Sequence, residues 1–94
     1  MRTVLVTSFL AGLTLATGLA VPAANAQGSI CHRLWVERNQ IYKDYGYCFK
    51  TPRAIRYFGN RGCRYDYQGD IQLSPRDQAR VDRIQAEERD YGCR

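Results

Sequence analysis

Gly46-Tyr47-Cys48-Phe49-Lys50-Thr51-Pro52-Arg53-Ala54-Ile55-Arg56-Tyr57-Phe58-Gly59-Asn60-Arg61-Gly62-Cys63 is the stretch on which the fold turns. Thr51 before Pro52 is a helix start. The hydroxyl can accept from a free backbone N–H, and proline's fixed φ suits the first helical position. Arg53 to Phe58 therefore reads as a short helix with Ile55 and Phe58 turned inward. Gly59-Asn60 ends it, and Gly62-Cys63 returns the chain toward Cys48. Tyr47-Cys48-Phe49 is aromatic and extended in character, suited to a brief strand or a bridging segment.

Working outward toward the N-terminus, Cys31, Leu34, Trp35, Ile41, Tyr42 and Tyr45 recur at helical spacing on one face. They predict a helix from Ile30 to about Tyr45, with Ser29 as its cap and Gly46 as its stop, because glycine accepts the left-handed conformation beyond a helix end. Arg38 falls on that apolar stripe beside Asn39. Buried polar groups need partners, so this pair is expected to hydrogen-bond backbone at a neighbouring loop, a structural rather than a catalytic role. On the other side, Arg64 to Leu73 lacks a helical period and reads as a loop. Ser74-Pro75-Arg76-Asp77 is a second helix start. That helix runs to about Asp90 with a thin apolar stripe of Val81, Ile84 and Tyr91. Arg83 with Glu87 and Asp77 with Arg80 are spaced as surface ion pairs. Gly92 marks its stop and Cys93 fixes its end.

The chain opens differently. Met1-Arg2 is basic, Thr3 to Ala20 carry no charge and are rich in Val, Leu and Ala, and Ala24-Asn25-Ala26 is an A-x-A site. A charged start, an apolar run and small residues at the cut describe a secretory signal peptide, residues 1–26, cleaved after Ala26. A spanning anchor would need about 20 strongly apolar residues. This run is diluted by Thr, Ser and Gly and broken at Pro22. A lipidation box would need a small residue where Ile30 precedes Cys31.

Cleavage after residue 26 of 94 leaves one domain, residues 27–94, of 68 residues. So short a chain buries little apolar surface and needs staples. All four cysteines, Cys31, Cys48, Cys63 and Cys93, lie in it, and an even count in an exported small domain reads as two disulfides. Of the three possible pairings, Cys48–Cys63 with Cys31–Cys93 is preferred. The first closes a local loop around the short helix and the second ties the domain's ends. A zinc site would show close pairs such as C-x2-C, and the gaps here are 16, 14 and 29 residues. No metal and no cofactor are expected. The fold expected is mainly α: a small three-helix domain stapled by two disulfides.

Charge is uneven. Residues 27–66 hold eight basic and three acidic side chains, and residues 67–94 five and six. A positive excess favours anionic partners: in an exported protein, an envelope polymer, anionic lipid or extracellular nucleic acid. A modest net charge also keeps a small protein soluble without any partner. Arg53, Arg56, Arg61 and Arg64, interleaved with Tyr57, Tyr65 and Tyr67, are the best anion-binding candidates, since arginine forks beside aromatic platforms hold phosphate groups and sugar rings. The bland alternative is solvated arginines around a disulfide loop with tyrosines packed inward.

Catalytic signals are thin. His32 is the only histidine and Glu37, five residues on, points to a different side of the same helix. Glu87 and Glu88 are adjacent on a helix and do not face one another, and Asp66 and Asp70 sit where turns use them. No G-x-S-x-G, H-E-x-x-H or phosphate-cradling glycine loop occurs. No catalytic residue is assigned.

At Leu34-Trp35, Arg38-Asn39, Ile41-Tyr42, Gly46-Tyr47 and Phe49 the sequence resembles the YARHG domain family, a small extracellular bacterial domain with the pattern R-N-x-I-Y-A-R-H-G-Y-x-F. Ala54-Ile55, Phe58-Gly59-Asn60 and Gly62-Cys63 extend the likeness to its cysteine-bearing proteobacterial form. Lys43-Asp44-Tyr45 replace the name-giving Ala-Arg-His, so no role resting on those residues carries over. The resemblance implies export and a small fold and assigns no activity. The function expected is an exported, periplasmic or secreted, non-enzymatic module that binds an anionic cell-envelope component or a periplasmic protein. Nucleic acid is not the expected partner. A small secreted hydrolase, such as a ribonuclease or envelope hydrolase, is the rival.

Overall fold

The computed structural model describes residues 23–94, and side chains from residue 26 onward. The leader read at residues 1–26 lies outside the described residues up to position 22. Helix α1 spans Ala23–Tyr45, α2 spans Pro52–Phe58 and α3 spans Pro75–Asp90, with one 3-10 turn at Gln68–Asp70. The domain is mainly helical, with three helices and two disulfides, Cys31–Cys93 and Cys48–Cys63.

α1 and α3 run antiparallel, as their cross-links show: Cys31 bonds to Cys93, Arg38 meets Glu88 and Tyr45 meets Asp77. Between them lies the core of Leu34, Ile41, Tyr42, Val81 and Ile84, closed by Ile71 from the connecting loop. Leu34, Val81 and Ile84 are each only 1% exposed. The thin stripe expected on α3 is thus sufficient at two of its three positions. Tyr91 is the exception and lies 44% exposed; α1 meets it through Gln27, which bonds its carbonyl.

Ser29 is not a cap. The helix continues back through Ala23-Ala24-Asn25-Ala26, where three alanines favour it, and Gln27 donates its side-chain amide to the Tyr91 carbonyl. The predicted cleavage point therefore falls in the first turn of α1. The start of α3 is as expected: Ser74 Oγ accepts from the Asp77 N–H at 3.1 Å. Tyr45 adds a second clamp there, its hydroxyl donating to Asp77 Oδ2 and accepting from the Ser74 N–H. The far end of α3 closes with Gly92 at φ 71° and Cys93 N–H on the Glu88 carbonyl at 2.7 Å, a left-handed stop that delivers Cys93 to Cys31.

Arg38 takes a different partner from the backbone expected. Its Nε and Nη2 donate to Glu88 Oε1 and Oε2 at 2.8 and 3.1 Å, a bidentate pair across α1 and α3 whose side chains are 22% and 14% exposed. A planar fork meets a carboxylate better than it meets a single carbonyl. Asn39 Nδ2 turns back to the Trp35 carbonyl of its own helix.

The second lobe is built on rings and backbone. Thr51 Oγ1 accepts from Ala54 N–H at 3.1 Å, and the Gly59 N–H closes α2 on the Ile55 carbonyl. Ala54 is buried and Ile55 is 41% exposed, reversing the inward placement expected of Ile55. The helix is rotated so that Ala54 and Phe58, i and i+4 neighbours, face the body. Tyr47 bridges Tyr65 in a single parallel contact, with Cys48 N–H on the Tyr65 carbonyl and the N–H groups of Arg64 and Tyr65 on the Gly46 carbonyl. Asn60 binds Phe49 from both sides, accepting its N–H at 2.7 Å and donating to its carbonyl at 3.0 Å. Gly46 has φ +96° and a Cβ there would meet Arg64 Nε at 3.2 Å, so both conformation and space select glycine.

Candidate functional site

α1 presents His32 and Trp35 one turn apart, and α2 lays Arg53, Tyr57 and Phe58 against them. The Arg53 guanidinium carbon stands 3.8 Å from the centre of the Trp35 ring. Its Nη2 lies 2.9 Å from His32 Nδ1. Tyr57 meets both rings edge-on, 5.8 Å from His32 and 5.6 Å from Trp35 between centroids. Phe58 fills the inner side, against Trp35 at 5.4 Å and Phe49 at 4.9 Å. Phe49 continues the stack to Tyr47, and Tyr47 to Tyr42. Aromatic contacts thus run from the solvent edge at Tyr57, which is 54% exposed, to Tyr42 in the core.

The four arginines singled out in the sequence occupy separate settings. Arg53 belongs to the His32–Trp35–Tyr57 cluster. Arg56 is exposed in the last turn of α2, and Arg61 is exposed in the turn before Cys63. Arg64 lies over the Tyr65 ring at 5.5 Å, with its side chain beside Gly46. Tyr65 is half-buried against the core, so its ring supports the fold as well as Arg64. Tyr67 is 72% exposed. Among the described residues none of these four arginines has a carboxylate within ion-pair distance. Five other cations do, Arg33 with Glu37, Arg38 with Glu88, Lys50 with Asp66, Arg80 with Asp77 and Arg83 with Glu87, whereas Arg76, Arg89 and Arg94 do not. Lys43 donates to the Gly59 carbonyl at 3.2 Å and so ties the end of α2 to α1.

His32 and Trp35 were not grouped with the arginines in the sequence, though the spacing of three that puts them on one side of α1 was visible. What was not visible is that α2 folds back on that side. The hydrolytic alternative gains little here. Glu37 is held by Arg33 at 3.2 Å, and the partner of His32 is a guanidinium. A second, open pocket is lined by Arg38, Gln85, Glu88, Arg89, Cys93 and Arg94, and its carboxylate is already bonded to Arg38. Among the described residues there is no group of three His, Cys, Asp or Glu side chains placed to hold a metal ion. No helix there is long and apolar enough to cross a membrane.

Neither the curated proteins nor the solved structures offer a match to this chain. A family match exists and spans residues 11–89 of the 94, wider than the Cys31-to-Asp66 stretch on which the resemblance rests. With both disulfides formed and the aromatic lobe assembled on the residues that carry the likeness, this chain belongs to the YARHG domain family.

Proposed function

We propose that this domain is an exported, non-enzymatic binding module for an anionic component of the cell envelope, a polymer in the periplasm or at the cell surface. One observation carries the reading. Arg53, Arg56, Arg61 and Arg64 all reach solvent from the α2 lobe with no carboxylate at ion-pair distance among the described residues; five other cations there are paired, and the remaining unpaired arginines, Arg76, Arg89 and Arg94, are spread along α3 and the end of the chain. Exposed, uncompensated guanidinium groups draw anions and bind them as forks. Export is supported by the two disulfides, which form and persist outside the reducing cytoplasm, and by the signal-peptide pattern of residues 1–26.

The test uses purified, oxidised protein and a soluble anionic polysaccharide. Binding should weaken steeply as salt is raised, because each neutralised charge releases a counterion. Replacing all four arginines by glutamine should abolish it. Equal binding by the parent and the quadruple variant would remove the reading. Hydrolysis of RNA or peptidoglycan that disappears in His32→Ala would replace it with the hydrolase.

A further inference from the structure

Resting on that reading, we infer that Arg53, held by Trp35 and His32 and flanked by Tyr57, is the specific subsite of the patch, and that it takes a sugar ring bearing an oxyanion, carboxylate or phosphate.

The geometry is that of a fixed fork. A guanidinium has five N–H donors, all in its plane, and no acceptor. Stacking 3.8 Å above Trp35 uses the face of Arg53 and leaves that plane free. One edge nitrogen, Nη2, is taken by His32 Nδ1 at 2.9 Å. Since Arg53 can only donate, this contact assigns Nδ1 as acceptor and puts the ring proton of His32 on Nε2. The remaining N–H groups of Arg53 have no acceptor among the described residues. An arginine on a solvated surface ordinarily loses side-chain freedom when it grips an anion. Here a stack and a hydrogen bond have already restrained it, so less freedom is lost per bond formed.

The second half of the site is apolar. Tyr57 stands 5.6 Å from Trp35 and 5.8 Å from His32, with over half its surface in water. His32, Trp35 and Phe58 pack one side of its ring, and the rest lies open in the same cluster as the fork. An exposed aromatic face beside an oriented anion receptor fits a ligand that is flat and C–H-rich on one side and charged at a substituent. An acidic sugar has that form, whereas a bare phosphate ion would use the fork alone.

Trp35 is the only tryptophan in the chain, so its fluorescence reports this subsite. The probes are galacturonate oligomers, dextran phosphate, neutral galactose oligomers and inorganic phosphate, titrated into the oxidised protein. Expected is a saturable change in Trp35 emission with galacturonate oligomers or dextran phosphate, the two arms telling carboxylate from phosphate. The neutral oligomers and inorganic phosphate should bind at least about tenfold more weakly. Arg53→Lys should bind the acidic oligomer about tenfold more weakly at an unchanged salt dependence, since the charge stays and the fork is lost. Tyr57→Leu should also weaken the oligomer and leave inorganic phosphate unaffected. Both positions are exposed, and unchanged melting temperatures would confirm intact folds.

If Arg53→Lys binds as the parent does while the quadruple variant does not, the arginine patch stands and the subsite falls. If inorganic phosphate binds as tightly as the oligomers, the sugar assignment is overturned. If no probe binds the parent, the envelope-polymer reading fails and the subsite fails with it.

Discussion

Along α1 and α3 four cations are answered by carboxylates, Arg38 by Glu88, Arg33 by Glu37, Arg83 by Glu87 and Arg80 by Asp77, while Arg76 and Arg89, one at each end of α3, have none among the described residues. Around α2, Arg53, Arg56, Arg61 and Arg64 are left without a carboxylate among the described residues. The difference follows from how each region is held. The α1–α3 region rests on aliphatic burial, on the long disulfide and on a bidentate pair whose charges are largely out of water. The α2 lobe rests on stacked rings, on backbone bonds, on Asn60 and on Cys48–Cys63, and the ion pair across it, Lys50–Asp66, lies exposed and contributes little. Cohesion that does not depend on ion pairs leaves guanidinium groups free to serve an outside partner. A lobe tied down by salt bridges would have to break them to bind.

The sharpest way to break this comparison is to remove the covalent ties one at a time. Cys31–Cys93 closes a loop with a sequence separation of 62 and Cys48–Cys63 one of 15. In the chain-entropy account the first contributes roughly 4 kcal/mol and the second about 3 kcal/mol. Against the total stability of a small domain, about 5–15 kcal/mol, either is a large share. Urea unfolding of the double-serine variants should show the Cys31/Cys93 loss as the larger. The reverse order would mean that the α2 lobe, not the α1–α3 clamp, holds the domain together.

A smaller effect separates the two regions by packing alone. Ile84 is 1% exposed in the core and Ile55 is 41% exposed on α2. Ile84→Ala should cost about 3 kcal/mol, from lost burial and the cavity left behind. Ile55→Ala should stay within about 0.5 kcal/mol, and its melting temperature should match the parent's. A large loss at Ile55 would show that the outer face of α2 is covered, contrary to the open surface that the binding proposal requires.

How much of this was legible in the sequence depends on the range of the interaction. The caps at Thr51 and Ser74, the glycine stops at Gly46, Gly59 and Gly92, and the seam of Leu34, Ile41, Val81 and Ile84 are local or periodic, and they read directly. The disulfide pairing followed from which loops it would close. The rotation of α2 did not read. With only seven residues, the choice between Ala54 and Ile55 on the inner side is made by Trp35 and Phe49, which reach Phe58 from outside the helix. Arg38 announced itself as a polar residue in an apolar stripe, but Glu88 lies 50 positions away and nothing local names it. The same holds for the candidate site. Arg53 and Tyr57 were visible as members of a basic, aromatic segment. The stack on Trp35 needed the fold-back of α2, a tertiary fact.

The smallest effect probes the junction of the two regions, where Tyr42 belongs to the core and also ends the aromatic series. Burial raises the titration of its hydroxyl above the ordinary value of 10.0, with Arg38 opposing the rise and Asp82 adding to it. An acid whose folded-state pKa is raised releases its proton more readily from the unfolded chain. Its contribution to stability is therefore whole below pH 10 and is lost as pH climbs through the folded value. Among the described residues the Tyr42 hydroxyl has no hydrogen-bond partner, so Tyr42→Phe should leave stability near neutrality within about 0.5 kcal/mol. Above about pH 10 the variant should lose stability less steeply than the parent, as urea midpoints measured on either side of that pH would show. Parallel alkaline limbs would mean that the ring is less enclosed than its 9% exposure indicates. The aromatic series would then end at Tyr47, short of the core, and the α2 lobe would be joined to α1 chiefly through Trp35 and the Lys43–Gly59 bond.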